Sequence, residues 1–236
     1  MSSFFELVGF GDQGWGGALL KGLWVTLQIS FGAFLVGMLI GLAVATVKLN
    51  GPRPLVRVAQ LYTTLCRSVP ELLLILLLFY VGSMGLDQLF AWLGYGGLQL
   101  DGTLVAIAVL GLVQGAYAAE IFRAAIQAVP YGQIEAARAF GMRGRALFLR
   151  VTLPAMAPHA LAGMANLWVV LIKDSALISV VGTNELLFTA KQAAGSTRHY
   201  LTFYLVAAAM YYLLTLMSNL LCGWLERRFQ RWMPSV

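Results

Sequence analysis

From Gly22 to Val47 the chain carries no ionisable side chain. A helix needs about 20 consecutive apolar residues to cross a bilayer core, and this run is longer. A spanning segment must satisfy its own backbone hydrogen bonds, which leaves the helix or the closed barrel. Barrel strands alternate polar and apolar residues, and this run does not. The sequence therefore predicts an all-α integral membrane protein. Composition agrees: 60% of the 236 residues are hydrophobic and 11% are charged, whereas soluble domains carry about 25% charged residues. The run is too long, and starts too late, for a secretory signal peptide.

Apolar runs predict five transmembrane helices in one domain over 1–236, at about 23–47, 56–81, 103–128, 155–172 and 201–225. The segment KLNGPRPLVR, Lys48 to Arg57, reads as a loop leading into a helix start. The second span is broken, because RSVPE interrupts it and Pro70 removes a backbone donor. Gly82 to Asp101 reads as a loop, with LFAWLGY as a short interfacial helix. ALISVVG, Ala176 to Gly182, is a short apolar piece, and NELLFTAKQAAGSTRH is a polar external helix and loop.

Charge orients the spans. With the N-terminus outside and the C-terminus cytoplasmic, the inner segments hold Lys48, Arg53, Arg57, Arg67, Arg123, Arg138, Arg143, Arg145, Arg150, Arg227, Arg228 and Arg231. The outer segments hold Lys21, Lys173, Lys191 and Arg198. Twelve against four satisfies the positive-inside rule. It also accounts for the net charge of +6 without a nucleic-acid partner. Cys66 and Cys222 lie in or beside apolar runs and read as free buried thiols. His159 and His199 have no partners at metal-ligand spacing, so no metal site is expected.

The inner segment 129–153 holds the most specific pattern. Gly132 to Phe140 contains good helix formers. Gly141 falls where a left-handed residue ends a helix. Arg143 to Val151 can form a second helix, and Pro154 suits the first turn of the next span. Lipid headgroups would explain the arginines. They do not explain Glu135-Ala136-Ala137, then Gly141, then Val151-x-Leu153-Pro154 in one frame. This pattern resembles the EAA loop of bacterial ABC importer permeases, complete at those positions. CRSVPELLLILLLFYVG, GAYAAEIFRAAIQAVPYGQ and LIKDSALISVVG extend the resemblance to the polar amino-acid uptake subfamily. Within it, the permeases for histidine, lysine, arginine, ornithine and opines are the most similar.

The resemblance implies a permease fold with a cytoplasmic coupling helix that seats in a cleft of an ATP-binding subunit. Glu135, Ala136, Ala137, Arg138, Gly141, Leu153 and Pro154 would form the coupling element. Two ATP-binding subunits, which bind ATP and Mg, a second permease subunit and a periplasmic solute-binding protein are the implied partners. A second permease subunit is implied because five helices are too few to enclose a path, and a similar paralogue is favoured over a second copy because the histidine and opine systems have that arrangement. The implied location is the bacterial inner membrane. The chain lacks a GxxxxGK[ST] phosphate loop, so no catalytic residue and no cofactor is expected in it. A stand-alone secondary carrier is the competing reading, but such a carrier has no use for an EAA loop. An importer of glutamine, glutamate or other polar amino acids would work by the same mechanism.

Ionisable groups inside spans are costly and mark candidate transport paths. Arg67 and Glu71 flank Pro70 and could form an i,i+4 salt bridge. Alternatively, the break exposes a carboxylate to the path, suited to a cationic amino acid. Glu120 is a further candidate, although it can pair with Arg123 at i,i+3. Lys173, Asp174 and Ser175 close span four, as path lining or as an outer charge pair.

Overall fold

The computed structural model describes residues 7–11, 14–92 and 101–230. Within them the chain is helical throughout. Helix α1, Gly16–Asn50, has 35 residues and is about 52 Å long at 1.5 Å per residue. It is therefore longer than a membrane core of about 30 Å is thick. It is apolar on all sides, so residue size, rather than polarity, marks its packed face. Gly22, Thr26, Ser30, Ala33, Gly37, Gly41 and Ala45 are buried at three- and four-residue spacing. This small-residue stripe meets Gly111, Gly115, Ala118 and Ala119 of α4, Gly102–Gln127. A Cβ placed on Gly41 would lie 2.6 Å from the Ala118 Cβ and 2.9 Å from its carbonyl carbon. Small residues let two backbones approach this closely, which is how helices associate in lipid.

Only Gly51 and Pro52 separate α1 from α2, Arg53–Ser68. The loop expected over Lys48 to Arg57 is therefore two residues long, and Lys48 sits in the last turn of α1. Helix α2 ends at Val69, which is extended (φ −91°, ψ 141°) because the following proline excludes the helical region. Helix α3, Glu71–Trp92, then leaves at 118° to α2. Glu71 lies in its first turn, where a carboxylate complements the helix dipole. Helix α3 continues through most of the stretch read as a loop after Gly82. The remainder of the expected interfacial helix falls outside the described residues. Asp101 caps α4 by accepting from the Thr103 amide at 3.0 Å.

Helix α5, Tyr131–Ala139, precedes a hairpin turn. Helix α6, Gly144–Leu147, passes through a π turn, Phe148–Thr152, into α7, Leu153–Asp174. Pro154 lies in the first turn of α7, as expected, but no break precedes it, and one helical run extends from Gly144 to Val181. Pro154 cannot donate to the carbonyl four residues back. The ladder shifts by one residue instead, and the Leu153 amide bonds the Phe148 carbonyl. A 3₁₀ turn, Ser175–Val181, ends at Gly182. Helix α8, Leu186–Thr197, and helix α9, Tyr200–Gln230, follow.

Four helical runs among the described residues are long and apolar enough to cross a membrane, and the bent α2–α3 pair makes a fifth. Packing occurs in three centres. Ala45, Phe122, Met156 and Leu167 join the ends of α1, α4 and α7. Ile29, Ile75, Leu110 and Ile178 fill the middle, and Leu19, Leu186 and Phe203 seat α8 between α1 and α9. Cys66 is buried and Cys222 half-buried, both as free thiols.

The substitution Gly41→Leu should destabilise the chain by about 1–3 kcal/mol through overpacking against α4. Gly82→Ala, whose new Cβ would meet nothing within 4 Å, should leave stability equal or slightly higher. Thermal unfolding of the two variants in detergent checks this, and equal midpoints would refute the close-approach account.

Candidate functional site

The hairpin after α4 is held by backbone geometry. The Met142 amide bonds the Ala137 carbonyl at 3.0 Å and the Gly141 amide bonds the Arg138 carbonyl at 2.9 Å. Those two bonds make a Schellman stop, which requires the left-handed backbone that Gly141 supplies at φ 82°. Gly144, at φ 52°, makes a second left-handed residue before the chain re-enters a helix. Ile134 and Leu153 pack on the inner core and anchor the hairpin from both sides.

The side chains of α5 divide by face. Ala137 is 7% exposed and faces its own chain. Glu135, Ala136 and Arg138 are exposed, as is Pro154 across the hairpin. Tyr131 and Phe140 extend this outer face, and Phe140 is 86% exposed. Neither Glu135 nor Arg138 forms an ion pair among the described residues. The hairpin thus presents a short, small-residue helix with free charges and an aromatic tip, a shape suited to a groove.

A second constellation lies at the break between α2 and α3. Pro70 turns α3 away from α2, and the expected i,i+4 bridge between Arg67 and Glu71 does not form. The Arg67 guanidinium lies over the Tyr117 ring, 6.0 Å from its centroid. Glu71 turns instead toward α4 and the end of α7, where it lies beside Tyr117 and Asp174. The Gln114 amide Nε2 donates to Asp174 Oδ2 at 2.7 Å. Three elements therefore converge: the broken corner supplies Arg67 and Glu71, α4 supplies Gln114 and Tyr117, and α7 supplies Asp174. The cluster thus sets two adjacent carboxyl groups beside an amide and a phenol, with Arg67 over the Tyr117 ring and Lys173 next to Asp174.

The other path candidates are placed elsewhere. Glu120 bonds Lys48 Nζ at 2.5 Å and Arg123 at 2.9 Å. Lys48 also donates to Thr63 Oγ1 at 2.6 Å, tying α1, α2 and α4 together. Both Glu120 oxygens are occupied in this tie. Lys173 is exposed. Ser175 is fully buried, donates to the Ile172 carbonyl at 2.7 Å, and lies beside Tyr211.

Sequence reasoning missed Glu185, which is fully buried. It caps α8 by accepting from the Leu187 and Phe188 amides at 2.9 and 2.7 Å. Tyr211 of α9 and Thr26 of α1 also donate to it, at 2.6 and 3.3 Å. Four donors thus surround one carboxylate and fasten three elements at a point adjoining the 3₁₀ turn after Asp174. Gln114 was missed as well, although it is the one amide within the apolar run from Thr103 to Ala119.

Residues 37–231 match the family model described as the binding-protein-dependent transport system inner membrane component. The chain is 40% identical over 220 residues to the octopine transport system permease protein OccQ of Rhizobium meliloti, covering 92% of each chain. It is 37% identical over 216 residues to the histidine/lysine/arginine/ornithine transport system permease protein HisQ of Escherichia coli, covering 92% of this chain and 95% of that one. Among solved structures, a chain of an amino acid ABC transporter with histidines superimposes with a TM-score of 0.79 at 32% identity. That match covers 97% of this chain and 99% of the other.

Tyr211→Phe should cost about 1.5–3 kcal/mol, as expected for losing a hydrogen bond to a charged group. Glu185→Leu should cost at least as much. The double variant should fall short of the sum, because the two residues share one interaction. Unfolding midpoints of the three variants measure the coupling, and strict additivity would dissolve the cluster as a unit.

Proposed function

This chain belongs to the family of inner membrane components of binding-protein-dependent transport systems, and from that premise we propose that it carries cationic amino acids or opines past Glu71 and Asp174. It is the multi-pass permease of an ABC importer in the inner membrane, and ATP hydrolysis belongs to another subunit. The observation that carries the cargo assignment is the pair of adjacent carboxylates at the broken corner. A cargo's ammonium or guanidinium would relieve their mutual repulsion, whereas a neutral or acidic cargo would leave them unmatched. The relatives' cargoes, octopine and histidine, lysine, arginine or ornithine, support that choice. Arg67 would leave the Tyr117 ring to take the cargo's carboxylate. Lys173 and Ser175 flank Asp174 rather than facing the cargo, and Glu120 serves the inner tie between helices.

The exposed face of the hairpin is the coupling surface in this reading. Glu135, Ala136, Arg138 and Phe140 would meet the ATP-binding subunit. Ala137, Gly141 and Leu153 would hold that face in shape from behind, and the exposed Pro154 would flank it. The N-terminus lies outside, so the hairpin is cytoplasmic, where two ATP-binding subunits engage this chain and a similar permease beside it. A periplasmic binding protein delivers the cargo on the opposite side.

In proteoliposomes carrying the complete complex, Glu71→Gln should reduce arginine uptake about tenfold or more relative to glutamine uptake. An unchanged preference would remove the carboxylate pair from the path. At the hairpin, Gly141→Val should uncouple ATP hydrolysis from uptake, because a β-branched residue is strained at φ 82°. Gly141→Asn should retain more of the coupling, since asparagine tolerates that conformation. No Cβ clash occurs at this position, so equal losses in both variants would argue against a conformational role.

A further inference from the structure

Gln114 holds an unusual position in the carboxylate cluster. It is 1% exposed. Its Nε2 faces Asp174 Oδ2 at 2.7 Å, which fixes the amide's orientation, because only the nitrogen can donate to a carboxylate. The other end of the amide, Oε1, is buried and accepts no hydrogen bond from any described residue. Buried acceptors are nearly always satisfied, and an orphan calls for an explanation. Here the orphan adjoins Asp174, which itself adjoins Glu71. Oε1 is thus the one acceptor of this cluster, among the described residues, that is buried without a donor.

We infer that Gln114 is a specificity-determining residue of the transport path, whose Oε1 accepts an N–H from the cationic end of the cargo while its Nε2 holds Asp174 in place. The inference rests on the cationic-cargo reading above. A guanidinium offers five donors in a fixed plane and can address several acceptors at once. A ureido group of the same shape replaces one nitrogen with an oxygen and loses the charge. It would meet Gln114 Oε1 or a carboxylate with a lone pair. Discrimination by a site built to receive donors is strong when the wrong molecule leaves its acceptors unpaired. Gln114 is buried in this state, so the proposal requires Oε1 to be uncovered when cargo binds.

The test is equilibrium binding of labelled arginine to the intact permease–ATPase complex in nanodiscs, with unlabelled citrulline as competitor. Gln114→Met keeps the length of the side chain and loses both polar ends. It should weaken arginine about tenfold and leave the weak binding of citrulline where it was, so that the gap narrows. Gln114→Glu keeps an acceptor for the cargo but cannot donate to Asp174, and should preserve or widen the gap. Equal weakening of arginine and citrulline in both variants would reduce Gln114 to a structural clamp and overturn the inference. Glu71→Gln separates the two levels. If it leaves the gap intact, the cationic-cargo reading fails. If it narrows the gap while Gln114→Met does not, only the role of Gln114 fails.

Discussion

The close approach of α1 and α4 is the constraint on which the rest of the structure depends. In lipid there is no hydrophobic drive to bring apolar helices together, so packing at short range must do so. Glycine and alanine at three- and four-residue intervals allow it, and Gly41 against Ala118 is its tightest point. This pairing sets where α4 presents its other faces. Gln114, Tyr117 and Glu120 project from it toward three different neighbours, and each neighbour is placed by what it finds there. The inner tie of Lys48, Thr63 and Glu120 closes one end. The Gln114–Asp174 bond joins α4 to the end of α7.

The charges follow one rule. Taking a charge out of water is costly unless it is paired or richly hydrogen-bonded. Glu120 meets two cations, and Glu185 collects four donors. The Glu71–Asp174 pair is the exception, because its nearby cation, Arg67, is turned over an aromatic ring. In the proposed function, that is where the cargo's cationic end would sit.

Much of this was legible beforehand because it depended on local chemistry. The charge-free run from Gly22 required a helix in a membrane, Pro70 required a break, and the left-handed backbone at Gly141 could be read from its place after Glu135-Ala136-Ala137. What escaped depended on long-range partners. Lys48 looked like a loop residue because it stands next to Asn-Gly-Pro, yet it reaches Glu120, 72 residues away. Glu185 looked like part of a polar external loop, since nothing nearby in the chain announces Thr26 or Tyr211. The Arg67–Glu71 spacing suggested a bridge, but across the 118° bend each side chain turns to Tyr117 instead. The π turn could have been foreseen only by asking where the carbonyl abandoned by Pro154 would find its donor.

The continuous helix from Gly144 to Asp174 has a mechanical consequence. Thirty-one residues at 1.5 Å make a rod about 45 Å long, with the hairpin at one end and the Asp174 carboxylate at the other. Its compliance is concentrated near the hairpin, where the π turn, Pro154 and Pro158 weaken the hydrogen-bond ladder. Beyond Pro158 the ladder is unbroken. A displacement entering at the hairpin end is therefore absorbed first as a swivel, and the stiff remainder tilts as one body. The geometry is that of an oar in its lock, in which a small stroke at the handle sweeps the distant blade, here a carboxylate, through an arc.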